Sequence, residues 1–339
     1  MTQFLDVPNM VRWIQRDGAE NILRTMTTYV EEDFRRWESF DKIPRVASHT
    51  PFGVIELMPT SDNVTYSFKY VNGHPLNPSR GFQTVTAFGL LADVDNGYPV
   101  FLSEMTLLTA LRTAATSALT GRVLARPDSR VMALIGTGSQ AEFQALAFRA
   151  AMGIEDLQVF DTDPDAMTKL HRNLEPLGFR ITQAGSTAQA VAGADIITTC
   201  TADKQMATIL TDDLIVPGVH INAIGGDCPG KTELEAAILD RGRVFVEFPP
   251  QTRIEGEIQQ MDPDFPVVEF WQVLSGSVPG RTSADEITIF DSVGFAIADF
   301  AALRCAQDAT GDLQTTIDLV ADPVDPKDLF SLVTSLLPA

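Results

Sequence analysis

The sequence predicts an α/β fold. A doubly wound parallel sheet over residues 126–308 is set into a discontinuous α+β domain made of residues 1–125 together with 309–339. Three observations carry this. From residue 131 onward, the runs "VMALIG", "LQVFD", "RITQA", "DIITTC", "VHINAI" and "RVFVE" are separated by helical stretches, the rhythm of βαβ units. Those runs are apolar almost throughout, as parallel strands covered on both faces must be. Before residue 125 the runs alternate apolar and polar residues and are joined by turn residues, so an antiparallel sheet is expected there. A length of 339 residues fits about two domains of roughly 100–200 residues each.

Residues 8–38 place Met10, Ile14, Leu23, Met26, Val30 and Trp37 near the helical period, which predicts one long amphipathic helix. Arg35 and Arg36, beside Glu31, Glu32 and Asp33, read as its solvated face. After "KIPR" come alternating strands, "GVIELMP", "YSFKYVNG", "TVTAFGLLADV" and "YPVFLSE". The last two are joined by "DNG", whose Asn-Gly step tolerates the positive φ of a tight hairpin. An Ala- and Leu-rich helix covers about 105–125 and ends at the proline of "RPDSR". In the second part, "SQAEFQALAFRAAMG" is a helix closed by Gly153. Thr232 and Glu235 have the capping-box spacing, placing a helix start at 233. "EITIFDSVG" is expected at the sheet edge, and the helix 294–308 leads back toward the first domain.

Composition narrows the function classes. The formal charge is −20, from 25 Lys+Arg against 45 Asp+Glu, with no compensating basic patch. Such a surface repels phosphate backbones and anionic lipid, so neither nucleic acid nor membrane is an expected partner. No uninterrupted apolar segment approaches the roughly 20 residues of a membrane span, and the N-terminus lacks a secretory pattern. Three cysteines and four histidines show no ligand spacing, so no metal is expected. A soluble cytoplasmic protein is the expectation.

"ALIGTGSQAEFQALAF" sets Gly136 and Gly138 between a strand and a helix, as in a Rossmann-type dinucleotide site. The first glycine permits the turn. The second lets a pyrophosphate approach backbone N–H groups at the helix N-terminus, and Ala141 lets helix and strand pack closely. The next strand ends at Asp161, where a carboxylate can accept hydrogen bonds from the adenine-side ribose. A 2′-phosphate there would meet Asp161 and Asp163 with no adjacent arginine, which favours NAD over NADP.

In "INAIGGDCPGKTELE", a buried strand empties through Gly225 and Gly226 onto Asp227. Ligands of open α/β sheets sit beyond the carboxyl ends of the strands, so Asp227 reaches the cofactor edge, and the glycines would give a flat ring room. An Asx turn is the alternative for Asp227. Lys231 either pairs with Asp227 or contacts cofactor. Arg45 and Lys69 are cations among Val46, Phe68 and Tyr70, hard to explain as core. Arg112 in its Ala/Leu/Thr helix is either buried or snorkelling. Glu56, between Ile55 and Leu57, fits a site or an outward strand face.

The run "NAIGGDCPGKTEL" resembles the signature of the ornithine cyclodeaminase/μ-crystallin family. So do "RVASH", "GVIELMP", "FKYVNGHP", "LLADVDNGYPVFLSEMTLLTALRTAATS", "FVEFPPQTRIEGEIQQ" and "TIFDSVGFA", which extend the resemblance over about residues 40–335. "VNGHP" and "GGDCPGKTEL" are closer to the cyclodeaminase branch than to the dehydrogenases, imine reductases or crystallins.

The resemblance implies that Arg45, Lys69 and Arg112 hold a substrate carboxylate, with Glu56 at the amino groups and Val293 lining the substrate site. It implies that Thr84, Arg112, Ser139, Gln140, Asp161, Thr201, Ile224, Gly225, Gly226, Asp227, Lys231 and Ser292 contact NAD, and that Asp227 is the catalytic carboxylate. The implied reaction takes L-ornithine to L-proline and ammonia, with NAD borrowing a hydride and returning it, in a homodimer whose first domain serves substrate binding and dimerisation. Ring closure within one bound chain is favoured because it is intramolecular. Both substrate amines must lose protons, and the three cations are expected to assist by repulsion. A one-way NAD-linked amino-acid dehydrogenase or imine/ketimine reductase, or a cyclodeaminase for lysine or another diamino acid, stays open as the alternative.

Overall fold

The computed structural model describes residues 1–202 and 207–334. It is built on two eight-stranded sheets. The first runs in the order Thr315–Ile317, Thr2–Leu5, Pro99–Glu104, Val85–Asp93, Thr65–Gly73, Gly53–Ser61, Asp41–Lys42, with Val46–Thr50 also on Gly53–Ser61. Its pairings are antiparallel except where Thr2–Leu5 runs parallel to Pro99–Glu104. The second sheet is parallel at every pairing, in the order Arg180–Gln183, Asp156–Phe160, Val131–Ile135, Ile196–Thr199, His220–Ala223, Thr288–Asp291, Arg243–Val246, Val268–Glu269. From Val131–Ile135 the chain winds first to one side and later to the other, so the strand order reverses between Ile135 and Thr199.

The period-2 strands behave as their pattern requires. Glu56, Met58, Ser67, Lys69, Val71 and Leu91 point inward and are buried. Ile55, Leu57, Tyr66 and Phe88 point outward and are exposed. The inner face is covered by the helices Thr106–Leu124 and Ala296–Ala309. That second helix also packs on Ala19–Arg35, which places it against the first sheet. One continuous core runs through Met26, Phe34, Phe101, Leu111, Phe270 and Phe300.

Four sequence expectations need correction. The long first helix is two, Val7–Asp17 and Ala19–Arg35, broken at Gly18 with φ 78°. Asp33 is not on a solvated face: it is fully buried, 2.8 Å from Arg36 and 2.6 Å from Arg304. Thr288–Asp291 is an inner strand between His220–Ala223 and Arg243–Val246, and Asp291 at its end is buried. No helix begins at 233. Leu234 instead bridges Leu210 in extended backbone, and Glu257 takes the N–H groups of Glu233 and Leu234. The helix there is only Ala236–Leu239, with Glu235 before it. Among the described residues, no helix is long and apolar enough to cross a membrane.

Candidate active site

A cleft of about 620 Å³ lies between the carboxyl ends of the parallel strands and the inner face of the first sheet. Nearly every site residue expected from sequence lines it. Gly136, Gly138, Ser139, Gln140, Asp161 and Thr201 form one end, and Thr84 lines the cleft from beside Val85–Asp93 of the first sheet. Ile224, Gly225, Asp227, Lys231 and Ser292 form the middle, and Arg45, Glu56, Lys69, Arg112 and Val293 the other end. Gly226 is the exception: it does not line the cleft.

The nucleotide end has the shape a pyrophosphate needs. Gly136 takes φ 96°, and a Cβ there would lie 2.8 Å from the backbone of Cys200. A Cβ at Gly138 would meet nothing within 4 Å, leaving backbone open to the cleft. Asp161 is tied by Thr137 N–H at 2.6 Å and Asp163 N–H at 3.0 Å. These residues therefore fit a dinucleotide: an open glycine backbone at a strand-to-helix turn, with a fixed carboxylate beyond the neighbouring strand.

The Asp227 loop is held from behind. Lys231 N–H donates to Cys228 O at 3.1 Å with Gly230 at φ 79°, the left-handed conformation a Pro-Gly turn of this kind requires. Gln259 clamps it, accepting from Gly230 N–H at 2.6 Å and donating to Lys231 O at 3.0 Å. The Asp227 carboxylate opens to the cleft, and Lys231 stands 3.3 Å away while also donating to Thr201 O at 2.9 Å. The ion pair is thus present in a lysine that also lines the cofactor region.

Gly225 and Gly226 make room for carboxylates, and Gly225 also lines the cleft. A Cβ on Gly225 would lie 2.1 Å from the Glu233 carboxylate oxygens, and one on Gly226 would lie 2.5 Å from Glu257 Oε1. Glu233 accepts the Thr201 N–H at 2.9 Å and the Thr201 hydroxyl. Burial raises Glu233, and it raises Glu257 well above the usual carboxylate range, with Asp291 adding to the latter.

At the far end each cation meets an acid. Arg45 lies 3.0 Å from Glu56 and 3.0 Å from Glu255, and donates to Val293 O and to Gly294 O at 2.8 Å. Lys69 and Arg112 both reach Asp299, each at 2.8 Å. Arg112 is buried, so it does not snorkel, and Glu56 is buried on the inner face. Burial, with Arg112 beside it, brings Lys69 down to about 7 although Asp299 opposes the change. Burial pushes Glu255 up to about 7 against the pull of Arg45. Burial works against charge on Arg45, but Glu56, Glu255 and Asp227 outweigh it and hold Arg45 above its usual value. The three cations expected to repel substrate ammonium thus each stand against an acid, Arg45 facing Glu56 and Glu255 while Lys69 and Arg112 share Asp299.

Sequence reasoning missed Glu233, Glu247, Glu255, Glu257, Gln259 and Asp299. Glu247 is buried and accepts from the Ser292 hydroxyl at 2.6 Å. Most of these come from "VEFPPQTRIEGEIQQ", whose acids sit among prolines, glycine and apolar residues, and Asp299 is the lone acid within "GFAIADFAAL".

The chain is similar to known proteins along nearly its whole length. An ornithine cyclodeaminase of Agrobacterium fabrum is 60% identical over 332 residues, covering 97% of this chain and 94% of that protein. A lysine cyclodeaminase, whose structures describe recognition of L-lysine, L-ornithine and L-2,4-diaminobutyric acid, aligns with TM-score 0.91 at 30% identity, over 96% of this chain and 98% of that one. An archaeal alanine dehydrogenase dimer with bound NAD aligns with TM-score 0.85 at 28% identity, over 94% and 99%. The family model for ornithine cyclodeaminase and mu-crystallin matches residues 7–312. The chain belongs to the ornithine cyclodeaminase/mu-crystallin family.

Proposed function

We propose that this protein is an NAD-dependent ornithine cyclodeaminase, an ammonia-lyase that forms L-proline and ammonia from L-ornithine. One observation carries the reading: a dinucleotide cradle shares a single cleft with Asp227, with the Lys69–Arg112 pair and with the buried Glu56. Gly136, Gly138, Ser139, Gln140, Asp161, Thr201 and Lys231 would hold NAD. Bound there, NAD supplies a reversible hydride acceptor, so that an amino acid is oxidised at Cα and reduced again within one turnover.

The protein's own groups do the rest. Lys69 and Arg112 take the substrate carboxylate, which fixes Cα toward the nucleotide end. Asp227, exposed to the cleft beside Lys231, accepts a proton from the nearer ammonium. Glu56 faces the distal amine, the group that separates a diamino acid from alanine. Excluding water from this pocket favours attack within the bound chain over escape of an open intermediate.

The outer face of the first sheet supports a homodimer, with the first domain forming the interface. Tyr70 and Phe88 stack there at 5.0 Å, flanked by exposed Ile55, Leu57 and Tyr66, an apolar patch that a monomer rarely leaves open. A cytoplasmic location fits the composition. The test incubates the protein with L-ornithine and trace NAD⁺: ammonia and proline should accumulate without NADH, and Asp227→Asn should abolish turnover while NAD still binds. Accumulating NADH would establish the one-way dehydrogenase instead.

A further inference from the structure

We propose that Asp299 is a positioning residue that holds Lys69 and Arg112 together as a charged pair for the substrate carboxylate. This rests on the functional reading above and adds a residue to it. Asp299 comes from the helix Ala296–Ala309, Lys69 from the strand Thr65–Gly73, and Arg112 from the helix Thr106–Leu124. The three elements converge on one oxygen: Asp299 Oδ1 is 2.8 Å from Lys69 Nζ and 2.8 Å from Arg112 Nε. All three side chains are buried, Lys69 and Asp299 to about 1% exposure. Lys69 and Arg112 line the cleft, whereas Asp299 stands behind them and does not.

Two cations buried side by side repel each other, and a desolvated lysine relieves that repulsion by giving up its proton. The groups around Lys69 make Asp299 the counterweight. Its strand neighbours Met58 and Gly89 carry no charge. Arg112 and Arg45 both push Lys69 toward neutrality, and Glu56, across the cleft wall, is engaged by Arg45. Only Asp299 among the described residues forms an ion pair with Lys69. A lysine carries three N–H donors. The bond to Asp299 uses one, and the cleft side of the ammonium offers the others to an incoming carboxylate.

The experiment compares wild type with Asp299→Asn in the full-length chain with NAD bound. An opposite charge at this distance moves a pKa by about 1–3 units. Lys69 should therefore lose its proton about 1–3 pH units lower in the variant. KM for L-ornithine should rise about tenfold or more at pH 8 and recover only as the pH falls to the lowered Lys69 midpoint, with kcat changed less than about threefold and the alkaline limb of kcat/KM displaced to lower pH. Asp299→Glu, which retains the charge, should keep the wild-type limb. Asp299→Asn should cost less in the Lys69→Gln background than in wild type, the remainder reporting its hold on Arg112. Turnover-independent evidence comes from NMR of ¹³Cε-labelled lysine, with the Lys69 signal assigned by its loss in Lys69→Gln; its midpoint should fall in Asp299→Asn. An unmoved Lys69 midpoint, or an unchanged KM and pH profile, overturns the proposal. If Asp299→Asn does not fold, a displaced limb in Asp299→Glu overturns it and a retained limb supports it. Failure of the wild type to release ammonia from ornithine counts against the functional reading alone, because the lysine titration still decides the role of Asp299.

Discussion

Gly225→Ala separates the role found for the paired glycines from the one read in sequence. Gly225 does not have positive φ, so an alanine meets no backbone strain there. The whole effect must come from its Cβ, placed 2.1 Å from both carboxylate oxygens of the buried Glu233. Glu233 has to move, giving up the N–H and hydroxyl of Thr201. A hydrogen bond to a charged buried group contributes about 1.5–3 kcal/mol, so losing both costs about 3 kcal/mol or more. At roughly 1–2 °C per kcal/mol for a chain of 339 residues, melting should fall by about 4 °C or more. Thr201 is also a cofactor-side residue, so NAD should bind about tenfold or more weakly. Thermal unfolding by circular dichroism, with and without NAD, measures both effects. The decisive arm repeats the substitution in a Glu233→Ala background, where the obstruction is gone and the added cost should shrink to about 0.5 kcal/mol. Equal costs in both backgrounds, or a wild-type melting curve for Gly225→Ala, would refute the assignment.

Other consequences are open to direct measurement. Asp161→Ala should weaken NAD binding about tenfold or more and narrow the preference over NADP, read by titration calorimetry of both nucleotides. Phe88→Glu on the exposed sheet face should halve the mass measured by light scattering, and an unchanged mass would remove that face as the interface. Burial lifts Glu255 from 4.5 to about 7. Its contribution to stability is therefore complete below about 4.5 and is lost as pH rises through about 7. Glu255→Gln should accordingly flatten the fall in urea midpoint between pH 5 and 8, by roughly 2–3 kcal/mol of unfolding free energy. Parallel slopes in variant and wild type would show that Glu255 is not protonated at the acid end.

The nucleotide half was legible because its signals are local. A strand, two glycines and a helix lie within one short segment, and the Ala-Met-Gly end of "RAAMG" fixes where that helix stops. Period-2 alternation likewise marked the strands of the first sheet, although it left Glu56 open between the site and an outward face, and the structure buries it. The misreadings arose where distant residues decide. Thr232 and Glu235 have capping-box spacing, but Glu257 claims the N–H groups that would begin the helix. Gly18 interrupts a helical pattern whose apolar period continues across it, since both halves bury their faces in the same core. The order that puts Thr288–Asp291 inside the sheet depends on crossovers, which leave no trace in the strand itself.

The buried acids were missed for a different reason. A cation on an apolar strand attracts notice, whereas an Asp or Glu is assumed to be solvated. Asp299 in its Ala/Phe helix is as anomalous as Arg112 in its Ala/Leu helix, and the two prove to be partners. Recognising that pairing changes the chemistry required of the cleft. Unmatched cations would act on substrate ammonium at a distance; here Arg45 is matched by Glu56 and Glu255, while Lys69 and Arg112 share Asp299 and keep one positive charge for the substrate carboxylate. Proton removal must then fall to individual carboxylates that face the amines. Glu56 and Asp227 line the cleft, while Glu255 and Asp299 stand behind the cations. The acids thus divide into those that touch substrate and those that keep the positive groups charged and in place, which is why losing Asp299 should appear in KM and its pH dependence while losing Asp227 should appear in turnover.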